Sequence, residues 1–183
     1  MDTKDKLSKV SLVLHWVVGV LMIYMILSGL TMESLEVRWF FDSHTSLGVL
    51  IVVVVIPRII WRYYNGWPEA MGSYSKLEKI AGKVVHWTLL LCTILMPASG
   101  MLLAVAGGHG LHIFALEVLP EVYDPNNPDE TLVLYPRLQE LSIFTHYIIG
   151  QFILPAALLL HIAGALKHHF LDKDKTLLRI LGK

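Results

Sequence analysis

Charged residues are scarce in this chain. Asp, Glu, Lys and Arg make up 16% of its 183 residues, whereas about a quarter of a typical soluble domain is charged. Hydrophobic residues make up 55%, and the mean hydropathy is +0.58. This balance indicates an integral membrane protein, and the length allows a handful of spans of roughly 20 residues each.

Cysteine is nearly absent. The single Cys92 lies inside an apolar stretch. One thiol excludes a disulfide framework, an iron–sulfur cluster and a thiolate zinc site within one chain. We interpret Cys92 as a small residue of the core.

Four apolar stretches are long enough to cross a ~30 Å hydrocarbon core at about 1.5 Å per residue. The first is too long for a cleaved signal peptide and lacks a small-residue cleavage site. We therefore predict an all-α, integral membrane four-helix bundle that forms one domain over residues 1–183. Its spans and its one long external loop are residues 10–31, 44–64, 83–105 and 141–167, and residues 106–140.

The basic residues predict the orientation. Thirteen of the 15 Lys and Arg residues fall on the side of the two termini, and only Arg38 and Arg137 fall on the other. The positive-inside rule makes both termini cytoplasmic. We expect membrane lipid around the bundle and no nucleic-acid partner. Nine acidic residues are expected on the external side: Glu33, Glu36, Asp42, Glu117, Glu121, Asp124, Asp129, Glu130 and Glu140.

Five of the nine histidines lie inside the predicted spans, in two layers. His15, His86 and His161 are near the cytoplasmic ends, and His44 and His146 are near the external ends. On an ideal helix His146 and His161 are roughly 22 Å apart in depth and about 60° apart around the axis. Both should therefore face the bundle interior, where a polar ring needs a partner.

Layered histidines suit three uses: a divalent-metal transport site, a proton relay, or axial ligation of haem iron. No Asp or Glu lies inside a predicted span, which disfavours the first two. Axial ligation needs one imidazole from each of two facing helices and apolar walls. Any single histidine is more often an ordinary core residue, but the layering favours ligation. Depth alone leaves either His86 or His161 as the inner partner of His15.

The two halves of the chain show a weak internal repeat. "VLHW" opens the first span and "VVHW" the third, while "SHTSLG" opens the second and "THYIIG" the fourth.

Five segments together resemble the bacterial cytochrome b561 family: "LVLHW", "SHTSLGVLIVVVVIPRIIWR", "KVVHW", "FTHYIIG" and "LLLHIAGALKHHFLDKDKTLLRIL". The resemblance implies a four-helix, dihaem cytochrome of the bacterial inner membrane with two haem b. Carried over to this chain, it implies that His15 and His161 hold the cytoplasmic-side haem. His44 and His146 would hold the periplasmic-side haem. His86 becomes a spare ring that contacts a haem propionate, a quinone or a proton path, or is simply interfacial.

Arg58 is a candidate propionate partner for the inner haem, because guanidinium suits carboxylates. Alternatively, Arg58 and Arg62 extend to lipid phosphates and set topology. Glycines could allow a porphyrin to approach closely: Gly19, Gly48, Gly100 and Gly150.

The resemblance implies an oxidoreductase or electron carrier between a periplasmic redox partner and the membrane quinone pool. The family includes a superoxide oxidase that passes electrons to ubiquinone. Nine acidic residues against two basic ones on the external side would repel superoxide, so we keep this activity as the alternative. A second alternative is a histidine-lined metal or proton transporter without haem, which would be colourless.

Overall fold

A computed structural model of the chain describes residues 1–35 and 37–183, leaving out the side chains of residues 33–35. Four long apolar helices dominate it, each long enough to cross a membrane. The all-α membrane prediction is confirmed. The spans are longer at their ends than the sequence predicted: Lys9–Met32, Arg38–Asn65, Lys76–Ala106 and Pro136–Phe170.

Two spans are built from more than one helical segment. The second consists of α2 (Arg38–Leu50) and α3 (Val52–Asn65), whereas the first and third are the single helices α1 (Lys9–Leu35) and α4 (Lys76–Ala106). The fourth consists of α5 (Pro136–Ile148), a π-helical turn and α6 (Leu154–Phe170), and a short α7 (Thr176–Ile180) follows it.

The π-helical turn covers Ile149–Ile153. Pro155 follows it, and in a regular α-helix the proline ring would collide with the carbonyl of Gln151, four residues earlier. A wider turn relieves that collision at the cost of one additional residue in the helix. Because of this extra residue, the side chains of α6 point in directions rotated around the helix axis from those of the ideal helix that the sequence analysis used.

The segment between the third and fourth spans, predicted as an external loop, is not simply a loop. It contains two antiparallel hairpins, formed by β1 (Leu111–Ile113) with β2 (Leu116–Leu119), and by β3 (Tyr123–Asp124) with β4 (Asn127–Thr131). The turn of the first hairpin contains Phe114 at φ 52°, whose backbone N–H donates to Ser46 Oγ at 2.7 Å. This bond ties the hairpin to α2.

The centre of the bundle is apolar. A buried cluster occupies the depth between the two histidine layers, and each layer is therefore separated from the other by hydrocarbon side chains. Its members are Val18, Met22, Ile51, Val55, Cys92, Ile149 and Leu154. Cys92 is a buried free thiol, as expected for a core residue.

The N-terminal segment is fastened to the ends of the first two spans. Asp2 accepts hydrogen bonds from the Ser8 backbone N–H at 2.8 Å and Ser11 Oγ at 2.7 Å, and its carboxylate lies 4.0 Å from Arg62. Burial raises the pKa of Asp2, but these hydrogen bonds and the arginine charge outweigh it and leave the pKa below its ordinary value.

Asp2→Ala is expected to release residues 1–8 locally, because about 1–3 kcal/mol is lost when buried partners of a carboxylate go unpaired. Hydrogen exchange of these amides should rise. The pKa of Asp2 is lower in the folded state than its ordinary value of 3.8. The stabilisation that Asp2 gives the N-terminal segment is therefore complete above pH 3.8, and it is lost as the pH falls through the lowered pKa. The exposed Asp5→Ala is the matched control. Equal exchange in both variants would contradict this role of Asp2.

Candidate functional site

The outer pair of histidines comes from α2 and α5. The ring centroids of His44 and His146 lie 6.3 Å apart with an interplanar angle of 81°. His44 is buried and His146 half-buried. These two residues, predicted as partners, are brought together in the N-terminal parts of the second and fourth spans.

A serine from the preceding span orients each outer ring. Ser28 Oγ lies 2.9 Å from His44 Nδ1, and Ser99 Oγ lies 3.0 Å from His146 Nδ1. Each hydroxyl also donates to the carbonyl three residues earlier, which fixes its hydrogen and leaves its lone pairs for the imidazole N–H. With Nδ1 so occupied, Nε2 is the nitrogen free to bind a metal.

A glycine beside each serine makes room for the ring. A Cβ placed on Gly29 would lie 3.0 Å from His44 Cε1, and one placed on Gly100 would lie 3.1 Å from His146 Cε1. Both distances are shorter than ordinary packing contacts. Gly100 was predicted to allow close approach of a porphyrin, but in this structure its close neighbour is the His146 ring.

The serine–glycine pairs reveal the internal repeat more clearly than the histidines do. Ser28-Gly29 and Ser99-Gly100 are separated by 71 residues, as are His15-Trp16 and His86-Trp87. Ser28, Ser99 and Gly29 were missed at the sequence level. A search at this fixed offset finds them, because "MILSG" and "MPASG" then align.

The inner layer holds three rings. His15 on α1 and His161 on α6 have centroids 6.1 Å apart with an interplanar angle of 50°. His86 on α4 lies closer to His161, at 5.2 Å and 75°. His86 is exposed, and it also lies 5.8 Å from the Trp67 ring.

The two predicted arginines lie beside the inner layer. Arg58 Nη1 donates to the Leu14 carbonyl at 3.0 Å, next to His15 in the chain, and among the described residues its guanidinium makes no other hydrogen bond. Arg62 donates to the Gly66 carbonyl and lies over the Trp67 ring at 5.3 Å.

The π-helical turn changes the relation between the layers on the fourth span. On an ideal helix His161 is rotated about 60° past His146 around the axis. Because the π-helical turn takes up one additional residue, His161 instead falls about 40° short of His146. Both still point to the same side. Arg58 follows His44 by 14 residues and His161 follows His146 by 15. Allowing for the extra residue, Arg58 is therefore the counterpart of His161 in the internal repeat.

Other histidines make local contacts. His168 packs against Tyr74 at 4.2 Å, and its Nδ1 lies 2.7 Å from Asp172. Lys167 binds both Glu78 and Asp172. Hydrogen bonds from Lys167 and His168 lower the pKa of Asp172. In the segment between the third and fourth spans, His109 lies 3.2 Å from Thr131 Oγ1, and His112 lies 3.9 Å from Glu117.

Comparison with known proteins gives a family match over nearly the whole chain. The family model described as prokaryotic cytochrome b561 matches residues 6–183. The chain belongs to the prokaryotic cytochrome b561 family.

Curated relatives of this cytochrome b561 chain match it end to end. Cytochrome b561 homolog 2 of Escherichia coli K12 is 27% identical, with 100% of this chain and 94% of the relative covered. The probable superoxide oxidase CybB of Yersinia pestis is 28% identical, with 97% of each covered. Cytochrome b561 homolog 1 of E. coli K12 is 24% identical, with 98% of each covered.

Membership of the cytochrome b561 family implies b-type haem, and the histidine pairs can be tested against it. An imidazole nitrogen lies about 1.2 Å from its ring centre, given ring bonds of ~1.35 Å. With metal–nitrogen bonds of about 2 Å, two rings on one iron have centroids about 6.3 Å apart. The two cross-bundle pairs match this value, and the His86–His161 pair is about 1 Å too close. Each of the two cross-bundle pairs therefore has the ring separation that axial ligation of a haem iron needs.

The same family membership disfavours the transporter alternative. Within the described residues, no group of three or more His, Cys, Asp or Glu side chains could hold a metal ion. Two imidazoles that face each other across the bundle, at the separation found in each of the two pairs, suit an axially ligated iron better than a transported cation.

Proposed function

We propose that this protein is a dihaem b-type cytochrome that carries electrons between a periplasmic redox partner and the membrane quinone pool. His15 and His161 hold the cytoplasmic-side haem, and His44 and His146 hold the periplasmic-side haem. The observation that supports this most directly is the separation of 6.1 Å and 6.3 Å in the two ring pairs. The proposed location is the bacterial inner membrane, with both termini cytoplasmic.

Each bound haem supplies a one-electron couple. The paired imidazoles would hold it, and the haem would then exchange electrons instead of binding a substrate at its iron. The apolar cluster between the layers keeps water and protons out of the space between them. The Arg58 guanidinium, half-buried beside the inner pair, is proposed to neutralise a propionate. His86 is proposed to contact a propionate or a quinone there, since its spacing from His161 does not suit shared ligation.

Superoxide oxidation is the alternative, and the name of the Yersinia pestis relative favours it. The surface charge opposes it. Glu36 and the side chain of Glu33 lie outside the described residues, and most of the other external carboxylates are exposed. Arg38, a possible local attractor of anions, pairs with Asp42 at 3.7 Å. An acidic surface favours a basic redox protein as donor over an anion.

The test begins with the detergent-purified protein. Pyridine haemochrome quantification is expected to give two b-type haems per chain, with reduced-minus-oxidised spectra of low-spin centres. A colourless protein would overturn both the cytochrome proposal and the superoxide alternative.

The donor is then tested on the haem-loaded protein in liposomes that contain ubiquinone. Enzymatically generated superoxide should reduce the haems slowly, and more slowly at low salt than at high salt, because the acidic surface repels the anion. A small basic redox protein should show the opposite salt dependence. Rapid haem reduction by superoxide followed by quinol formation would replace the main proposal with the alternative.

A further inference from the structure

We infer that Ser28 and Ser99 are positioning residues that hold the two outer axial histidines and lower the reduction potential of the outer haem. This inference rests on the proposed function. It concerns two side chains that carry no ligand role themselves and act through the rings they contact.

The geometry is the same on both sides of the outer site. Each serine is almost fully buried, at 1% exposure for Ser28 and 5% for Ser99. Each hydroxyl donates to a methionine carbonyl, from Met25 at 3.2 Å and from Met96 at 3.0 Å. The hydroxyl hydrogen is thereby engaged, so the oxygen can only accept from the imidazole Nδ1–H.

Such an acceptor changes the ligand electronically. A hydrogen bond from Nδ1–H raises the basicity of the imidazole and fixes its orientation. A more basic ligand stabilises the ferric ion over the ferrous ion and so lowers the potential. Because each serine also bonds to a carbonyl, the chain His–Ser–carbonyl is polarised cooperatively and the acceptor is stronger than a lone hydroxyl.

The inner layer is built differently. Within the described part of the chain, the rings of His15 and His161 make no hydrogen bond of this kind. The inner haem also lies beside the guanidinium of Arg58, and a nearby positive charge favours the reduced state. Both differences give the outer haem the lower potential. Electrons that enter at the external face are thus driven inward.

Spectroelectrochemical titration of the haem-loaded protein tests this. In Ser28→Ala the equilibrium constant for reduction of the outer haem should rise about tenfold, which is about 59 mV for a one-electron couple. Ser99→Ala should do the same from the other axial side, and the double variant should combine both shifts. The outer haem is recognised as the centre that is missing from His146→Ala. The largest g-value of its ferric low-spin signal should also change.

Ser43→Ala is the matched control. Ser43 is 2% exposed and adjacent to His44 in the chain, but its hydroxyl binds Tyr24 and the Phe40 carbonyl instead of the ring. The control should leave both potentials unchanged. Threonine at position 28 or 99 retains a hydroxyl and should restore a wild-type potential.

The outcomes are distinct. Absence of haem from the wild-type protein overturns the proposed function itself. If both alanine variants keep two haems and neither potential shifts, only this inference is overturned. The Met25 and Met96 carbonyls, which also contact the rings, would then be sufficient hydrogen-bond acceptors. The alanine variants could lose the outer haem, so that no potential can be measured in them. In that case the threonine variants decide, and a wild-type potential of their outer haem supports the inference. Loss of haem in the threonine variants as well would assign the serines to packing alone.

Discussion

His161→Ala is expected to remove the inner haem and leave the outer one, and His146→Ala is expected to do the reverse. Each variant should contain one haem per chain by pyridine haemochrome, with different absorbance maxima and potentials. The reason is that, in the proposed arrangement, each ring supplies one of the two axial nitrogens of its haem. The paired ring centroids lie 6.1 Å and 6.3 Å apart. With one imidazole left, the iron loses its low-spin state and the porphyrin loses one of its two anchors.

The control for this pair is His86→Ala. Its ring lies 5.2 Å from His161, too close to share an iron coaxially, so both haems should remain. A His86→Ala variant that loses the inner haem while His15→Ala retains it would reassign the inner ligand. Loss of both haems from His146→Ala and His161→Ala alike would show that the sites are not independent.

Gly29→Ala is expected to abolish the outer haem site with a single methyl group. The new Cβ would lie 3.0 Å from His44 Cε1, between a helix backbone and a ring held by Ser28. Overpacking of this kind typically costs about 1–3 kcal/mol and is relieved by moving the side chain. A ring forced out of this position strains or breaks its bond to an iron at ~2 Å, so we expect the outer site to lose its haem during purification. The loss should appear as a haem content near one per chain.

Gly100→Ala tests the same contact in the other half of the bundle, where the distance to His146 Cε1 is 3.1 Å. Gly82→Ala is the control, since no heavy atom lies within 4 Å of a Cβ there. That variant should keep both haems and gain up to about 1 kcal/mol of helix stability. Full haem content in both Gly29→Ala and Gly100→Ala would contradict the close seating of the rings.

The spans were predictable because hydropathy over about 20 residues is a strong signal. The two hairpins between the third and fourth spans were not predictable. Their strands have two to five residues, too short for a clear alternation of polar and apolar side chains. The first hairpin also depends on a bond from Phe114 to Ser46, 68 positions away in the chain. The π-helical turn has a local cause in Pro155, but a proline alone does not say how a membrane helix accommodates it.

The sequence predicted the depths of the candidate histidines in the membrane, but not the residues that contact their rings. Burying an imidazole in a membrane is costly, so His44 and His146 stand out in the sequence. Ser28 and Ser99 do not, because serine is common in membrane helices and each contacts a ring on another span. Which inner ring pairs with His15 was left open by depth. It depends on how the helices are arranged around the bundle, which no single helix encodes.

Each half of the bundle orients one of the two outer histidines. Ser28 on the first span holds His44 on the second, and Ser99 on the third holds His146 on the fourth. During synthesis the first helical pair can therefore enter the membrane with its imidazole already aligned, yet it offers only one nitrogen on the axis. Under the proposed function, a haem at this site joins the two halves of the bundle, because one of its ligands comes from the second span and the other from the fourth. Haem binding there then has to follow insertion of the fourth span.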